Sequence, residues 1–190
     1  EIVGAATRFT NRDIAESAVT LARAGVSTGK IAEDQGAVLR RIADFASVAG
    51  TTITSASEIA VRSLGAMGQG INDINLQRFS DVLAVGSNVS PTSMEELALA
   101  ISYVGPIAST AGFDIEELTA SLSALANAGI RGSRAGTGLA RIITSLSNPS
   151  GPYAEILKEL NIDLEDAQGN MLSLNEILPQ FEREFTKIGS

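Results

Sequence analysis

Adjacent carboxylates are the residues of this chain whose type and spacing could support catalysis. Two carboxylates that face each other across a cleft can serve as the acid and the nucleophile of a glycosidase. Four such pairs occur: Glu33–Asp34, Glu95–Glu96, Glu116–Glu117 and Glu165–Asp166. Most of them fall in the predicted first turns of helices, where the helix dipole stabilises negative charge. The spacing therefore favours solvated carboxylates at helix caps. A cell-wall-degrading domain, which would use such a pair for catalysis, is the least favoured functional interpretation.

Few other residues are available for nucleophilic or metal chemistry. The chain contains no Cys and no His, which excludes thiol nucleophiles and zinc–thiolate sites and removes the usual general base of hydrolases. Asp163, Glu165 and Asp166 could hold a cation, but their spacing lacks the central Gly and the closing Glu of a calcium loop. We predict no enzyme, no cofactor, and no catalytic, cofactor-binding or metal-binding residue.

A glycine-rich segment, 129–138, has the composition of a phosphate-binding loop, with four glycines and two arginines. It lacks the preceding strand and the Gly-Lys-Ser/Thr ending that such a loop requires. A structural role is therefore favoured. We predict that Gly136 and Gly138 allow two helices to approach closely.

Three arginines in and after this segment are the best candidate for an interaction surface. Arg131, Arg134 and Arg141 could bind an anion or an acidic patch of a neighbouring subunit, because a helix capped at Ser133 would direct free N–H groups outward. These arginines are the predicted polar interaction surface of the chain.

The bulk composition argues against several other classes of protein. The 14 basic and 22 acidic residues give a net charge of −8, which opposes binding to nucleic acid by this segment. No run of about 18 apolar residues that could span a bilayer occurs, and no signal peptide is recognisable. The chain begins at Glu1 without Met and ends directly after a helical pattern, so we expect it to be a piece of a longer protein.

Helix start signals recur along the chain and predict an all-α fold. Thr10, Ser93 and Asp114 each precede an acidic residue by three positions, the spacing of a reciprocal helix cap, and apolar residues follow at steps of three and four. Pro106 is expected to start a short helical turn after Gly105. The predicted helices span 10–24, 28–49, 54–67, 75–86, 93–104, 114–128, 134–147, 152–160 and 174–187.

Helix stop signals recur with the same regularity. Each consists of Ala-Gly, in which the glycine adopts the left-handed conformation that ends a helix. The predicted stops are Gly25, Gly50, Gly112 and Gly129. The caps predicted to follow them are Ser27, Thr51, Asp114 and Ser133. Such short, punctuated helices predict a compact multi-helix bundle.

One segment breaks the helical pattern. Alternating apolar residues flank a turn within 162–172, which predicts a small β-hairpin or a tight loop. We therefore divide the chain into a helical core domain, 1–147, and a C-terminal helical extension with a hairpin-like loop, 148–190, within the same domain.

A series of short motifs in a fixed order resembles the core domain of phage tail tape measure proteins. The motifs are Leu21–Gly25, Asp81–Ala84, Ser93–Ala100, Tyr103–Pro106, Ala126–Leu139, Leu157–Ile162 and Asp166 with Gly169–Met171. Their order covers nearly the whole chain. The resemblance implies a structural component of a phage or prophage tail that acts in tail length determination, tail tube assembly and expulsion during DNA ejection.

The resemblance also implies partners and a location. The expected partners are tail tube proteins, tail tip or initiator proteins, assembly chaperones and other copies of the chain. The expected location is the virion tail, and the host bacterial cytoplasm during assembly. Because the helices are short and must fold back, the segment resembles a folded end piece more than an extended ruler. A generic helical interaction scaffold is the second functional interpretation.

Overall fold

The chain folds into α-helices joined by short turns. The computed structural model describes residues 8–188, without the side chains at 28, 30–35, 185 and 188. Within the described range the helices are α1 Asn11–Arg23, α2 Thr28–Ala49, α3 Ile53–Ala66, α4 Asp73–Val89, α5 Met94–Thr110, α6 Ile115–Asn127, α7 Gly132–Ser147, α8 Gly151–Glu159 and α9 Leu174–Ile188. No strand occurs in this part of the chain. The predicted all-α fold is confirmed.

Reciprocal side-chain caps begin three of these helices, as predicted. Thr10, Ser93 and Asp114 accept a hydrogen bond from the backbone N–H three residues later, at 3.3, 3.1 and 2.9 Å. The acidic residue at that position accepts a hydrogen bond from the capping residue's own N–H in return. These bonds satisfy first-turn donors that would otherwise lack a partner.

Two predicted caps are wrong. The cap of α3 is Thr52 rather than Thr51, and its hydroxyl accepts a hydrogen bond from the Ser55 N–H at 3.1 Å. α7 begins at Gly132, before the predicted Ser133, with no side-chain cap. Gly132 has a φ of 55°, a left-handed conformation that glycine adopts without strain. α7 therefore begins two residues earlier than predicted, and Ser133 falls inside the first turn.

The four Ala-Gly segments each follow a helix directly. Gly25, Gly50, Gly112 and Gly129 have φ values between 71° and 86°. The N–H groups around them bond back into the last helical turn, as the Ile130 N–H does to the Leu125 carbonyl at 2.9 Å. This geometry caps the free carbonyls of the preceding helix.

The prediction for Pro106 is wrong, because α5 runs through it to Thr110. Proline removes one helical hydrogen bond and restricts the residue before it. That residue is Gly105, which has no Cβ to clash with the ring and which packs on α3, where a Cβ would lie 2.9 Å from the Ala66 Cβ. Because Ile101, Val104 and Ala108 are fully buried around it, packing outweighs the local preference.

α5 is the central helix of the bundle and contacts α3, α4, α6 and α7. On the other side of α3, α1 and α2 complete the N-terminal part of the core. The rings of Phe45 and Phe79 join α2 to α4, with centroids 5.4 Å apart. Most other core side chains are aliphatic or alanine, so the helices must approach closely to fill the core.

The closest approach joins α5 and α7. A Cβ at Gly136 would lie 2.9 Å from the Ala100 Cα, and closer still to the Ala100 carbonyl oxygen. Further along, Thr110 and Leu146 line one cavity, so the two helices run parallel. The prediction for Gly136 is confirmed. The prediction for Gly138 is wrong, because no atom lies within 4 Å of the place where its Cβ would stand.

The C-terminal extension packs on the end of this helix pair. Its segment 162–172 is a tight loop with a single antiparallel bridge between Glu165 and Met171, and the Leu172 N–H donates to the Leu164 carbonyl at 2.8 Å. Ile177 of α9 is fully buried in the same core as the bundle. The loop and α9 therefore close the bundle beyond Leu146.

Candidate interaction surfaces

α7 presents its predicted arginines to solvent. Arg134 and Arg141 lie seven residues apart and therefore on the same side of the helix. That side is opposite the buried face, which consists of Ala135, Gly136, Leu139, Ile143 and Leu146. Arg131 immediately precedes the helix, and all three side chains are exposed. We call Arg131, Arg134 and Arg141 the arginine face.

The arginine face is not neutralised by neighbouring residues. Its three side chains are the only charged groups between residues 118 and 154. Among the described residues, none of the three forms an ion pair. A positive surface is therefore open on a chain whose net charge is −8.

Apolar and aromatic groups border this positive surface. A depression of about 520 Å³ lies beside Arg141, and Ile142 and Tyr153 are among the residues that line it. The Ile142 side chain is 45% exposed. Arginine and tyrosine beside exposed aliphatic carbon are typical of protein-binding surfaces.

A second surface, which the sequence analysis missed, is a groove of about 570 Å³ between α4 and α6. Val85 and Val89 form its rim and are 62% and 65% exposed. Ala120 and Ala124 line the opposite wall. No charged residue occurs from 82 to 89 or from 118 to 127. Asp81 and Glu116 also line the groove. Two valines four residues apart, within the uncharged stretch 82–89, were the sequence signal for it.

The floor of the groove contains a buried hydroxyl without a partner. Thr119 is 3% exposed, and its Oγ1 makes no hydrogen bond within the described part of the chain. Its Cγ2 packs against Gly86, where a side chain would collide with it. The Gly86 carbonyl already accepts hydrogen bonds from Ser90 and, at 3.4 Å, from Ser123.

Replacing Thr119 by valine is expected to raise the free energy of unfolding by about 1 kcal/mol, because a buried unpaired polar group costs about 1–3 kcal/mol. Valine keeps the shape of the side chain and removes only the hydroxyl. Urea denaturation followed by circular dichroism measures the change. Thr119→Ser is the matched control: it keeps the hydroxyl, deletes the methyl group that packs on Gly86 and should lower the stability. Equal stability of both variants would contradict the claim that the Thr119 hydroxyl lacks a hydrogen-bond partner.

The carboxylates of Glu116 and Glu117 lie in the first turn of α6, and each has a hydrogen-bond partner of its own. The Arg78 guanidinium binds the Glu116 carboxylate through two nitrogens and lowers the pKa of Glu116. Burial raises the pKa of Glu117, whose carboxylate accepts the Asp114 N–H at 3.4 Å. Diverging pKa values suit an acid and a base, but Glu116 borders the apolar groove and Glu117 does not.

The acidic loop satisfies its central carboxylate internally. Asp166 accepts hydrogen bonds from the Gln168 N–H at 2.9 Å and from Asn170, which lower its pKa. Among the described side chains, no group of three or more acidic residues is arranged to hold a metal ion. Of the two remaining predicted pairs, Glu33–Asp34 lies outside the described side chains. Glu95–Glu96 lies in the first turn of α5, where Glu96 accepts the Ser93 N–H at 3.2 Å. Among the described helices, none is both long and apolar enough to cross a bilayer.

Comparison with known proteins explains the motifs that run along the chain. The family described as "Phage-related minor tail protein" matches residues 2–190. The chain belongs to this family. It is 32% identical over 180 residues to the "Tape measure protein" of Pneumococcus phage Dp-1, covering 95% of this chain and 15% of that relative. The resemblance to tape measure proteins is confirmed.

A second relative supports the same family. The "Probable tape measure protein" of Escherichia phage P2 is 32% identical over 117 residues, which is 62% of this chain and 14% of that protein. The chain thus spans about a seventh of the length of the curated relatives it matches. No solved structure matches it.

Proposed function

We propose that this chain is a non-catalytic structural segment of a phage tail tape measure protein. The observation that carries the proposal is the family match over residues 2–190, together with the names of both relatives. The parent protein would act in tail length determination, tail tube assembly and expulsion during DNA ejection. Its location would be the virion tail, and the host bacterial cytoplasm during assembly.

The shape of the segment supports an assembly role rather than a measuring role. The longest helix, α2, has 22 residues and is about 33 Å long at 1.5 Å per residue. α5 and α7 run parallel and are joined by α6, so the chain doubles back instead of extending. A folded segment of this kind adds little to the length over which the tape measure protein extends along the tail. We propose that it anchors or organises the tape measure protein in the growing tail.

The arginine face is the proposed docking surface for tail components. Its three open positive charges and the adjoining Ile142 and Tyr153 suit an acidic protein surface. Candidate partners are tail tube proteins, tail tip or initiator proteins and assembly chaperones. The net charge of −8 supports a protein partner over nucleic acid, because binding to phosphate requires an excess of clustered positive charge.

The test is an in-frame deletion of residues 1–190 from the parent gene, with tail length measured by electron microscopy. An assembly role predicts few tails, or tails of scattered length. Complementation with the intact gene should restore them. Uniform tails shortened by as much as about 1.5 Å per deleted residue would instead make the segment part of the ruler. Normal tails in normal number would overturn the proposal.

A further inference from the structure

We propose that the arginine face of one copy docks on the acidic C-terminal unit of a second copy, so that copies associate head to tail. The acidic C-terminal unit is residues 155–188, which carry eight carboxylates and three basic side chains, a net charge of −5. The inference rests on the proposed function in one respect, namely that the arginine face is a docking surface. It adds which surface of a second copy the arginine face would contact.

Two of the three arginines of the arginine face lie at the end of α7 that is remote from the acidic C-terminal unit. Leu146, at the C-terminal end of the helix, lines the same cavity as Glu165 and Met171 of the acidic C-terminal unit. Arg131 and Arg134 lie at the N-terminal end of the helix. α7 has 16 residues and is therefore about 24 Å long.

This separation keeps Arg131 and Arg134 from being neutralised by the acidic C-terminal unit of the same copy, whereas Arg141 lies closer to it, in the depression that Tyr153 also lines. Screening reduces the attraction between exposed charges over about 8 Å at physiological ionic strength, a third of the length of α7. The structure agrees, because no ion pair joins the arginine face to the described part of the acidic C-terminal unit.

Carboxylates of the acidic C-terminal unit are available to a second copy. Glu155, Glu159 and Glu165 are exposed and form no ion pair with any described residue. By contrast, Asp166 bonds to Asn170, Glu176 bonds to Ser173, and Glu184 pairs with Lys187. Asp163 and Glu182 are likewise exposed and without an ion pair among the described residues. Open carboxylates are therefore available to the three open guanidinium groups.

The placement of the two surfaces determines the kind of assembly. Because one copy contributes its arginine face and the next its acidic C-terminal unit, the contact is heterologous and leaves one free surface at each end. Such contacts generate a closed ring if the rotation between successive copies closes, and an open row of copies with a common direction if it does not. Exposed ion pairs weaken with salt, so the association should be reversible and salt-dependent.

Charge reversal in residues 1–190 tests the inference, with sedimentation velocity as the readout. One variant carries Arg131→Glu, Arg134→Glu and Arg141→Glu. A second carries Glu155→Lys, Glu159→Lys and Glu165→Lys. We expect the unmodified chain to associate as its concentration rises at low ionic strength, and to dissociate in high salt. Each variant alone should associate at least tenfold more weakly.

A mixture of the two variants provides the decisive measurement. Each retains one original surface and one reversed surface. In the mixture the two original surfaces can pair, and so can the two reversed surfaces, so association should be restored. A matched control carries Arg12→Glu, Arg23→Glu and Arg62→Glu, which changes the net charge equally at exposed positions away from α7. This control should associate more strongly than the variant with the reversed arginine face. Circular dichroism should show the same helix content in the unmodified chain, in both charge-reversal variants and in the control.

The outcomes separate this inference from the proposed function. A chain that is monomeric at every concentration and ionic strength, or whose association ignores both reversals, overturns head-to-tail docking. Suppose that head-to-tail docking fails in this way, but the arginine reversal abolishes tails when it is placed in the parent gene. The arginine face then serves an acidic tail protein, and the proposed function stands. If tails are normal with that reversal, the arginine face is not a docking surface.

Discussion

Replacing Gly136 by alanine is expected to lower the free energy of unfolding by about 3 kcal/mol, the upper part of the usual range for overpacking. The added Cβ would lie 2.9 Å from both the Cα and the carbonyl carbon of Ala100. These are backbone atoms of the central helix, so no rotation of a side chain can relieve the clash. α5 and α7 would have to move apart, and the buried contacts of Leu139 and Ile143 would loosen with them.

Gly138 provides the matched control for this prediction. It lies in the same helix, and no atom stands within 4 Å of the place where its Cβ would be. Gly138→Ala should raise the stability by about 0.5–1 kcal/mol, because alanine loses less backbone freedom than glycine in a helix. Urea denaturation of both variants measures the difference. Equal stabilities would mean that α5 and α7 do not approach each other at Gly136.

The contrast between these two glycines shows what the sequence could predict and what it could not. Both occur in the same small-residue segment, and both were predicted to allow close helix contact. Only the rotation of α7 relative to α5 distinguishes them, and rotation depends on tertiary packing. The cap at Ser93 was predictable because its hydrogen bonds join residues three positions apart.

Pro106 and the groove between α4 and α6 illustrate the same limit. Proline favours a helix boundary locally, but α5 continues through it because Val104 and Ala108 are fully buried on either side. The groove requires Val85 of one helix to lie near Ala120 of another, a relation that no local pattern contains. By contrast, the sequence does contain the relation between Arg134 and Arg141, because positions seven apart in a helix lie on the same side.

Replacing Ile177 by aspartate is expected to lower the free energy of unfolding of the whole chain by about 4 kcal/mol, because burial of an unpaired polar or charged group costs several kcal/mol. Ile177 is fully buried, and it belongs to the same core as the helices of the bundle. On this basis we propose that 148–190 and 1–147 form one domain. A single unfolding transition at a lower urea concentration is the expected result.

Leu178→Asp is the matched control, because it places the same carboxylate one residue later on a side chain that is 58% exposed. Its effect should stay within about 0.5 kcal/mol. Limited proteolysis of Ile177→Asp adds a second readout. If protease removes only the C-terminal helices while the rest keeps the original urea midpoint, the extension folds as a separate unit. The acidic C-terminal unit would then be attached to the bundle without a shared core, and its fixed position at the end of α7, on which head-to-tail docking depends, would be lost.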